Sequence, residues 1–386
     1  MNTSNKNLDI EVLRGFAILF VLFHHRVWLL PGGKWAYLDN YITFWGGVDL
    51  FLVISGFVIG RGLLKNWQRA ETPIVFMCQM GAFWIRRAWR IWPIASLWML
   101  IPLIGSILFG QELWGKVAPN ITTVASILTG TQNVHAYLGE NGFVDRGSLA
   151  YVPYWSLSLE EQFYLLFPVI LFALMGGRKR LLAPILILLI ALQLFAPRAV
   201  WSLAWALRSD ALLFGVLIAY SLHNQNIRKI WEPTFLDNSP LRWVILPAIL
   251  ILIAIYSAGK VVPFSTGAVA LLSAILVWIA SYNKSYLFPL GVLKKVLVYV
   301  GGRSYSIYLV HMNVFFATRE LWSHLLPPGV EADGRYTLRF LVTAIPLVFV
   351  LSEISYRFVE TPLREKGRKI AESYLSRHLP ALVADK

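Results

Sequence analysis

Residues 8–30 read LDIEVLRGFAILFVLFHHRVWLL, an apolar run that nevertheless carries Arg14 and His25 eleven residues apart. At a helical step of 100° per residue, eleven steps return to within about 20° of the starting direction and climb roughly 16 Å. The two side chains therefore share one helix face, about half a bilayer apart in depth. Ionisable groups inside a membrane span are costly and face a cavity, a partner or a substrate path. This helix reads as the wall of a functional site rather than as a plain anchor.

The rest of the chain has the same character. Of its 386 residues, 57% are hydrophobic and 15% charged, and the mean hydropathy is +0.59. A soluble domain carries about 25% charged residues. Apolar runs near the ~20 residues needed to cross hydrocarbon recur throughout, so the expected fold is an all-α, polytopic membrane bundle. About ten spans are expected, at 8–30, 43–62, 90–109, 154–175, 181–197, 202–222, 243–257, 263–281, 296–317 and 338–357. The first is too long for a signal-peptide core and reads as retained.

The net charge of +14 follows topology and does not point to nucleic acid. Arg86/Arg87/Arg90, Arg178-Lys179-Arg180, Lys294-Lys295 and Arg364 to Lys369 fall on one side of an even-numbered set of spans. Both termini are then cytoplasmic. Residues 1–362 form the membrane domain and 363–386 a basic cytoplasmic tail. Cys78 is the single cysteine, which excludes an internal disulfide and a cysteine-based metal site. No repeat is visible.

Two segments outside the spans stand out. Residues 63–89 read as a basic, Trp-containing cytoplasmic segment with Trp67, Trp84 and Trp89 at an interface. Residues 110–153, with His135, Glu140, Asp145 and Arg146, form the longest outer connection, either solvated or in contact with an outer substrate. Trp28, Trp45, Trp92, Trp155, Trp201 and Trp243 lie near span ends and read as interface belts.

Depth groups the candidate chemistry. His25, Asp49, Glu160 and Glu161 all fall in the outer third of the membrane. A carboxylate on one ring nitrogen of His25 leaves the other nitrogen free to take a proton from a hydroxyl. The plain alternative is that Asp49 and His25 only satisfy one another. His24 is turned about 100° from His25 and reads as a packing residue, although an exchange of roles stays open.

The inner half is basic. Arg86 and Arg90 are four residues apart and share a helix face, with Arg87 elsewhere. Guanidinium forks clamp phosphates, whereas ordinary positive-inside anchoring would explain the same cluster. Ser304, Tyr308 and His311 make one polar stripe, more structural than catalytic. Glu353, Tyr356, Arg357, Glu360 and Pro362 read as a helix end with interhelical ion pairs. Gly46-Gly47 and Ser55-Gly56 allow close helix approach. An arginine mouth joined by one helix face to an acid/base pair fits a phosphorylated donor with a long arm, such as an acyl-CoA thioester. A proton-coupled transporter using the same His, Asp and Glu is the rival, weakened by the lack of repeat symmetry. A membrane scaffold that needs none of these side chains is a third.

Six stretches carry a resemblance. They are Leu13-Arg14-Gly15 followed by His25; Gly46-Gly47-Val48-Asp49-Leu50-Phe51 running to Ile54-Ser55-Gly56-Phe57; Phe83 to Pro93; Trp155-Ser156-Leu157-Ser158-Leu159-Glu160-Glu161-Gln162-Phe163-Tyr164; Tyr305 to His311; and Tyr356 to Pro362. In this order and spacing the chain resembles the acyltransferase 3 family, membrane O-acyltransferases of bacterial surface polysaccharides such as lipopolysaccharide and peptidoglycan. The departure at Leu52, where Phe is common, alters packing only.

The resemblance implies ten helices, acetyl-CoA or another acyl-CoA as co-substrate, and no metal or tightly bound cofactor. It implies catalysis by His25 with Asp49 and a site role for Glu160. Arg14, Arg86, Arg87 and Arg90 would bind the donor. Around them, His24, Ser55, Trp155, Glu161, Tyr164, Ser304, Tyr308 and His311 are candidates to line the site. Membrane lipid and a carbohydrate acceptor are the expected partners, at a bacterial inner membrane. Some relatives carry a fused extracytoplasmic hydrolase-like domain. Because this chain ends soon after the tenth span, it is expected to finish transfer itself or use a separate extracytoplasmic acyl-acceptor protein.

Overall fold

A computed structural model describes residues 6–30, 36–288, 291–327 and 333–379. Residues 380–386 of the expected tail lie outside it. The described residues contain helices and no strand. The longer helices are α1 (Leu8–His24), α2 (Gly46–Arg69), α3 (Pro73–Leu108), α4 (Val117–Leu128), α5 (Gln132–Glu140), α6 (Tyr154–Ala173) and α7 (Leu182–Leu194). They continue with α8 (Asp210–Ser221), α9 (Leu241–Ser257), α10 (Ser265–Ala280), α11 (Gly291–Gly302), α12 (Ser304–Leu325), α13 (Thr337–Ser355) and α14 (Thr361–His378).

Among the described residues, five helical stretches are long and apolar enough to cross a membrane: Gly46–Arg69, Pro73–Leu108, Leu149–Ala173, Leu203–Ser221 and Gly334–His378. A sixth is added if Gln225–Leu236 and Leu241–Ser257, bent by 99°, count as one span. Several other expected spans coincide with shorter helices, such as α1 with 17 residues and α7 with 13. Helix starts follow local chemistry. Asn7 caps α1 by accepting from the Ile10 amide at 3.0 Å, and Asp9 and Glu11 sit in the positive first turn. Thr72 caps α3, with Pro73 at the position where a missing N–H costs nothing.

The chain forms two compact units. The first comprises residues 1–27, 33–62 and 183–304; the second comprises 28–32, 63–182 and 305–386.

In the first unit glycines bring backbones into contact, as the small-residue pairs predict. A Cβ on Gly56 of α2 would lie 2.0 Å from the Leu212 carbonyl oxygen on α8, and one on Gly47 would lie 2.7 Å from the Ala17 oxygen on α1. The tightest crossing joins α1 to α11, where a Cβ on Gly301 would lie 1.9 Å from the Glu11 oxygen. Because the obstacle is backbone on a packed helix, Gly301→Ala should cost at least about 1–3 kcal/mol. A lowered midpoint in thermal unfolding of the detergent-extracted protein would register it.

In the second unit α14 lies along α3. A Cβ on Gly367 would come within 2.2 Å of Trp89 Cβ. The expected helix end near Pro362 does not occur. Instead, α13 passes through a π turn at Tyr356–Glu360 into α14, with Pro362 in its first turn. The wider turn accommodates a proline at the start of the continuing helix. The ion pairs there form within the helix, Glu353 to Arg357 and Glu360 to Arg364 at 3.3 Å, while Glu360 also accepts from Ser306 of α12 at 2.7 Å. The 110–153 connection folds into α4, α5 and the turn Gln111–Trp114 rather than an irregular loop. Trp67 is buried, its Nε1 donating to the Leu171 carbonyl at 2.6 Å. Trp45 and Trp155 are also buried, so these three indoles pack inside the protein rather than at its lipid interface.

Candidate functional site

In the first unit, α1 holds Arg14, and His25 follows directly on its last residue. Arg14 Nη1 donates to Glu11 at 2.9 Å, and Lys6 lies 3.2 Å from the other oxygen of the same carboxylate. Glu11 is buried, so two cations share one acid and a single net positive charge remains at this end. Arg14 is half-buried and already paired.

At the other end, α1 gives way to a 3-10 turn over His25–Trp28. His25 is buried there, while His24 is half-buried with its ring 5.3 Å from that of His25. The next residue, Arg26, is buried. It donates to Asp39 at 2.6 Å and to the Phe23 carbonyl at 2.8 Å. A neutralised guanidinium thus stands beside the two imidazoles.

Asp49 departs from expectation. It is fully buried, and its hydrogen-bonding partner is Arg208, not the His25 ring. Arg208 Nε donates to Oδ1 at 3.3 Å and Nη2 to Oδ2 at 2.9 Å. The reason is register. Phe44 meets Phe20 and Phe23, and Gly47 meets Ala17, so α1 and α2 run antiparallel. Ala17 lies roughly 12 Å down the helix from His25, and Asp49 is about 3 Å further still. A buried carboxylate at that level takes the charged, two-pronged donor within reach. Arg208 is held in turn by Trp205, 4.1 Å from the ring centroid, and by the Trp205 carbonyl. A second buried pair lies nearby, Arg198 to Asp210 at 3.1 and 2.5 Å. Sequence reasoning missed Arg26, Arg198, Arg208 and Asp210. The available signal was that three arginines and an aspartate stand at or between the ends of expected spans. Ser55 is half-buried on α2, and Ser304 is buried at the start of α12.

The second unit brings three predicted residues together. The Arg87 guanidinium carbon lies 5.2 Å from the Tyr164 ring centroid and 5.3 Å from that of Phe83. Tyr164 donates its hydroxyl to Glu160 at 2.6 Å. Trp84 fixes the same place on α6 by donating to the Tyr164 carbonyl at 2.8 Å. A cation, a phenol and a carboxylate therefore stand in sequence. Glu161, half-buried, faces Gly130, whose Cβ would lie 3.3 Å from Oε2. Arg86 and Arg90 are half-buried and form no hydrogen bond or ion pair among the described residues.

Tyr308 and His311 are structural in their contacts. The Tyr308 hydroxyl bridges Ser156 at 2.7 Å and the Pro153 carbonyl at 3.0 Å. His311 is fully buried, with Nδ1 2.8 Å from the Tyr308 carbonyl. A carbonyl can only accept, so that nitrogen carries the proton. In the α4–α5 pair, His135 meets the Thr123 hydroxyl at 3.1 Å, and partial burial lowers its pKa below the ordinary histidine value.

A family model described as an acyltransferase domain matches residues 7–354. A Staphylococcus aureus (strain MRSA252) protein, assigned by inference as an O-acetyltransferase, is 27% identical over 97% of this chain and 60% of its own length. The peptidoglycan O-acetyltransferase OatA of Listeria monocytogenes is 26% identical, covering 93% of this chain and 56% of its own. The O-acetyltransferase OatA of Staphylococcus aureus (strain NCTC 8325) is 25% identical over 93% and 57%. The chain thus spans well under two thirds of the length of these relatives. No solved structure matches it. The family match runs from the residue that caps α1 to the last turn of α13, through the motifs around Arg14, Asp49, Arg86, Glu160 and His311, and the chain belongs to the acyltransferase 3 family.

Proposed function

We propose that this protein is a membrane O-acyltransferase that moves an acyl group, acetyl first, from cytosolic acyl-CoA to a hydroxyl of an extracytoplasmic glycan. The observation that carries this reading is the family match over residues 7–354, joined by relatives named for O-acetyl transfer. Ten spans with both termini inside a bacterial inner membrane complete it.

In this reading His25 is the general base. One ring nitrogen takes the acceptor's hydroxyl proton as that oxygen attacks the thioester carbonyl. The new C–O bond forms, the C–S bond breaks, and the thiolate leaves and collects the proton as the free thiol. Asp49 serves through its pair with Arg208, a buried unit without net charge, and not as the imidazole's direct partner. Glu160, tied to Tyr164, is assigned to the acceptor hydroxyls. Peptidoglycan in the name of the Listeria relative makes an amino-sugar polymer the first acceptor to test, with lipopolysaccharide-type glycans second.

The test is mass spectrometry of surface glycans from cells with and without the protein. It is paired with release of free CoA from acetyl-CoA by the purified protein in detergent. One acetyl increment per modified sugar and slow thioester loss are expected. Unchanged glycans together with no CoA release would favour the transporter.

A further inference from the structure

Arg86 and Arg90 stand one turn apart on α3, half-buried and in no direct ion pair among the described residues. Trp89, between them in sequence, is covered by α14. The Lys366 ammonium lies 4.9 Å from the Trp89 ring centroid. Gly367 permits the approach, because any side chain there would strike Trp89 Cβ. Gly81 makes the same allowance for Tyr374, where a Cβ would lie 2.8 Å from the phenol oxygen. Two close contacts, eight residues apart on α3 and seven on α14, fix the helices antiparallel. They set Lys366 at the level of the arginines, while its head stays exposed.

The acids of α14 and of the π turn before it form their direct bonds with other residues. Glu365 and Glu372 are both held by Arg368, and Glu360 by Ser306 and Arg364. Glu372 has the acidic influence on Arg86, at the far end of the cluster. Lys366 stands over the Trp89 indole, and Arg86 and Arg90 flank that residue in sequence on α3. Like charges on facing helices repel, and an anion of several charges relieves that repulsion better than a singly charged one.

We infer that α14 is the second wall of the donor's phosphate site, with Lys366 joining Arg86 and Arg90 to bind the phosphate oxygens of the acyl-CoA. The inference rests on the acyl-CoA reading above and adds a helix that lies beyond the matched family region. A lipid phosphodiester offers the same chemistry with one charge and is the competing source.

Lys366→Gln is the variant to make, because the side chain is exposed and its loss leaves no buried group unpaired. In neutral detergent its affinity for acetyl-CoA should fall about tenfold, as for loss of one charge-assisted contact. Its affinity for S-acetylpantetheine, which has the thioester but no phosphate, should not move. Glu372→Gln should shift acetyl-CoA binding the other way, severalfold tighter. If Arg90→Gln weakens acetyl-CoA binding and Lys366→Gln does not, α14 is no wall of the site, although the donor reading survives. An effect of Lys366→Gln that appears only in nanodiscs containing anionic phospholipid assigns the lysine to lipid and overturns the inference. Wild-type protein that binds no acetyl-CoA at all refutes the donor reading itself.

Discussion

Replacing Arg208 by Ala is expected to cost about 3–5 kcal/mol and to leave the protein aggregated on extraction. Arg208 and Asp49 are both fully buried, so removing the cation strands a carboxylate with no water to turn to. The magnitude comes from that stranded charge rather than from the attraction of the pair, which makes the rescue specific. The double change Arg208→Leu with Asp49→Leu removes both charges at similar volume and should regain near-wild-type stability. Size-exclusion profiles and thermal midpoints of the two single variants and the double one check this. An Arg208→Ala protein as stable as wild type would mean that the pair holds nothing. Glycan acetylation by the double variant then measures what Asp49 does beyond folding.

The second large effect is chemical. His25→Ala should lower glycan acetylation by about 10²–10⁴-fold, the usual range for loss of a general base. Acetyl-CoA affinity should stay within about twofold, because the imidazole acts on the acceptor's proton and not on the donor's phosphates. His24→Ala should leave most of the activity, since His24 closes α1 whereas the proposed base, His25, opens the 3-10 turn. Single-turnover acetyl transfer, read together with donor titration, separates the two histidines. Full activity in His25→Ala with loss in His24→Ala would exchange their roles.

Much of this was legible in the chain. The all-helical class and the close-packed glycines followed from hydropathy and residue size. By contrast, the helix expected to carry both Arg14 and His25 ends at His24, and His25 opens a 3-10 turn. What depth could not supply was register and azimuth. Asp49 and His25 were both assigned to the outer third of the membrane, yet the antiparallel fit of Gly47 on Ala17 sets them more than two helical turns apart. The true partner, Arg208, lies 159 residues away in sequence, and no local pattern specifies such a pairing. The π turn at Tyr356–Glu360 was hidden for a different reason. Proline after a run of charges normally marks a stop, and only the extra residue in that turn lets the helix continue. Trp45, Trp67 and Trp155 misled because an indole with a carbonyl to bond, as Trp67 has in Leu171, is as content inside a bundle as at a lipid headgroup.

One contact sets terms for how the protein is made. Buried Asp9, near the start of the chain, meets Lys294, 285 residues further on, at 2.6 Å. At about 5–20 residues per second, the ribosome reaches that lysine roughly 15–60 s after the aspartate. For that interval the first helix holds an acid without its cation, and Gly301, which closes the tightest crossing against it, does not yet exist. Insertion machinery or water at the membrane surface must shelter α1 until the eleventh helix arrives. Premature truncation anywhere before residue 294 should therefore yield a nascent chain marked for proteolysis at its very first helix.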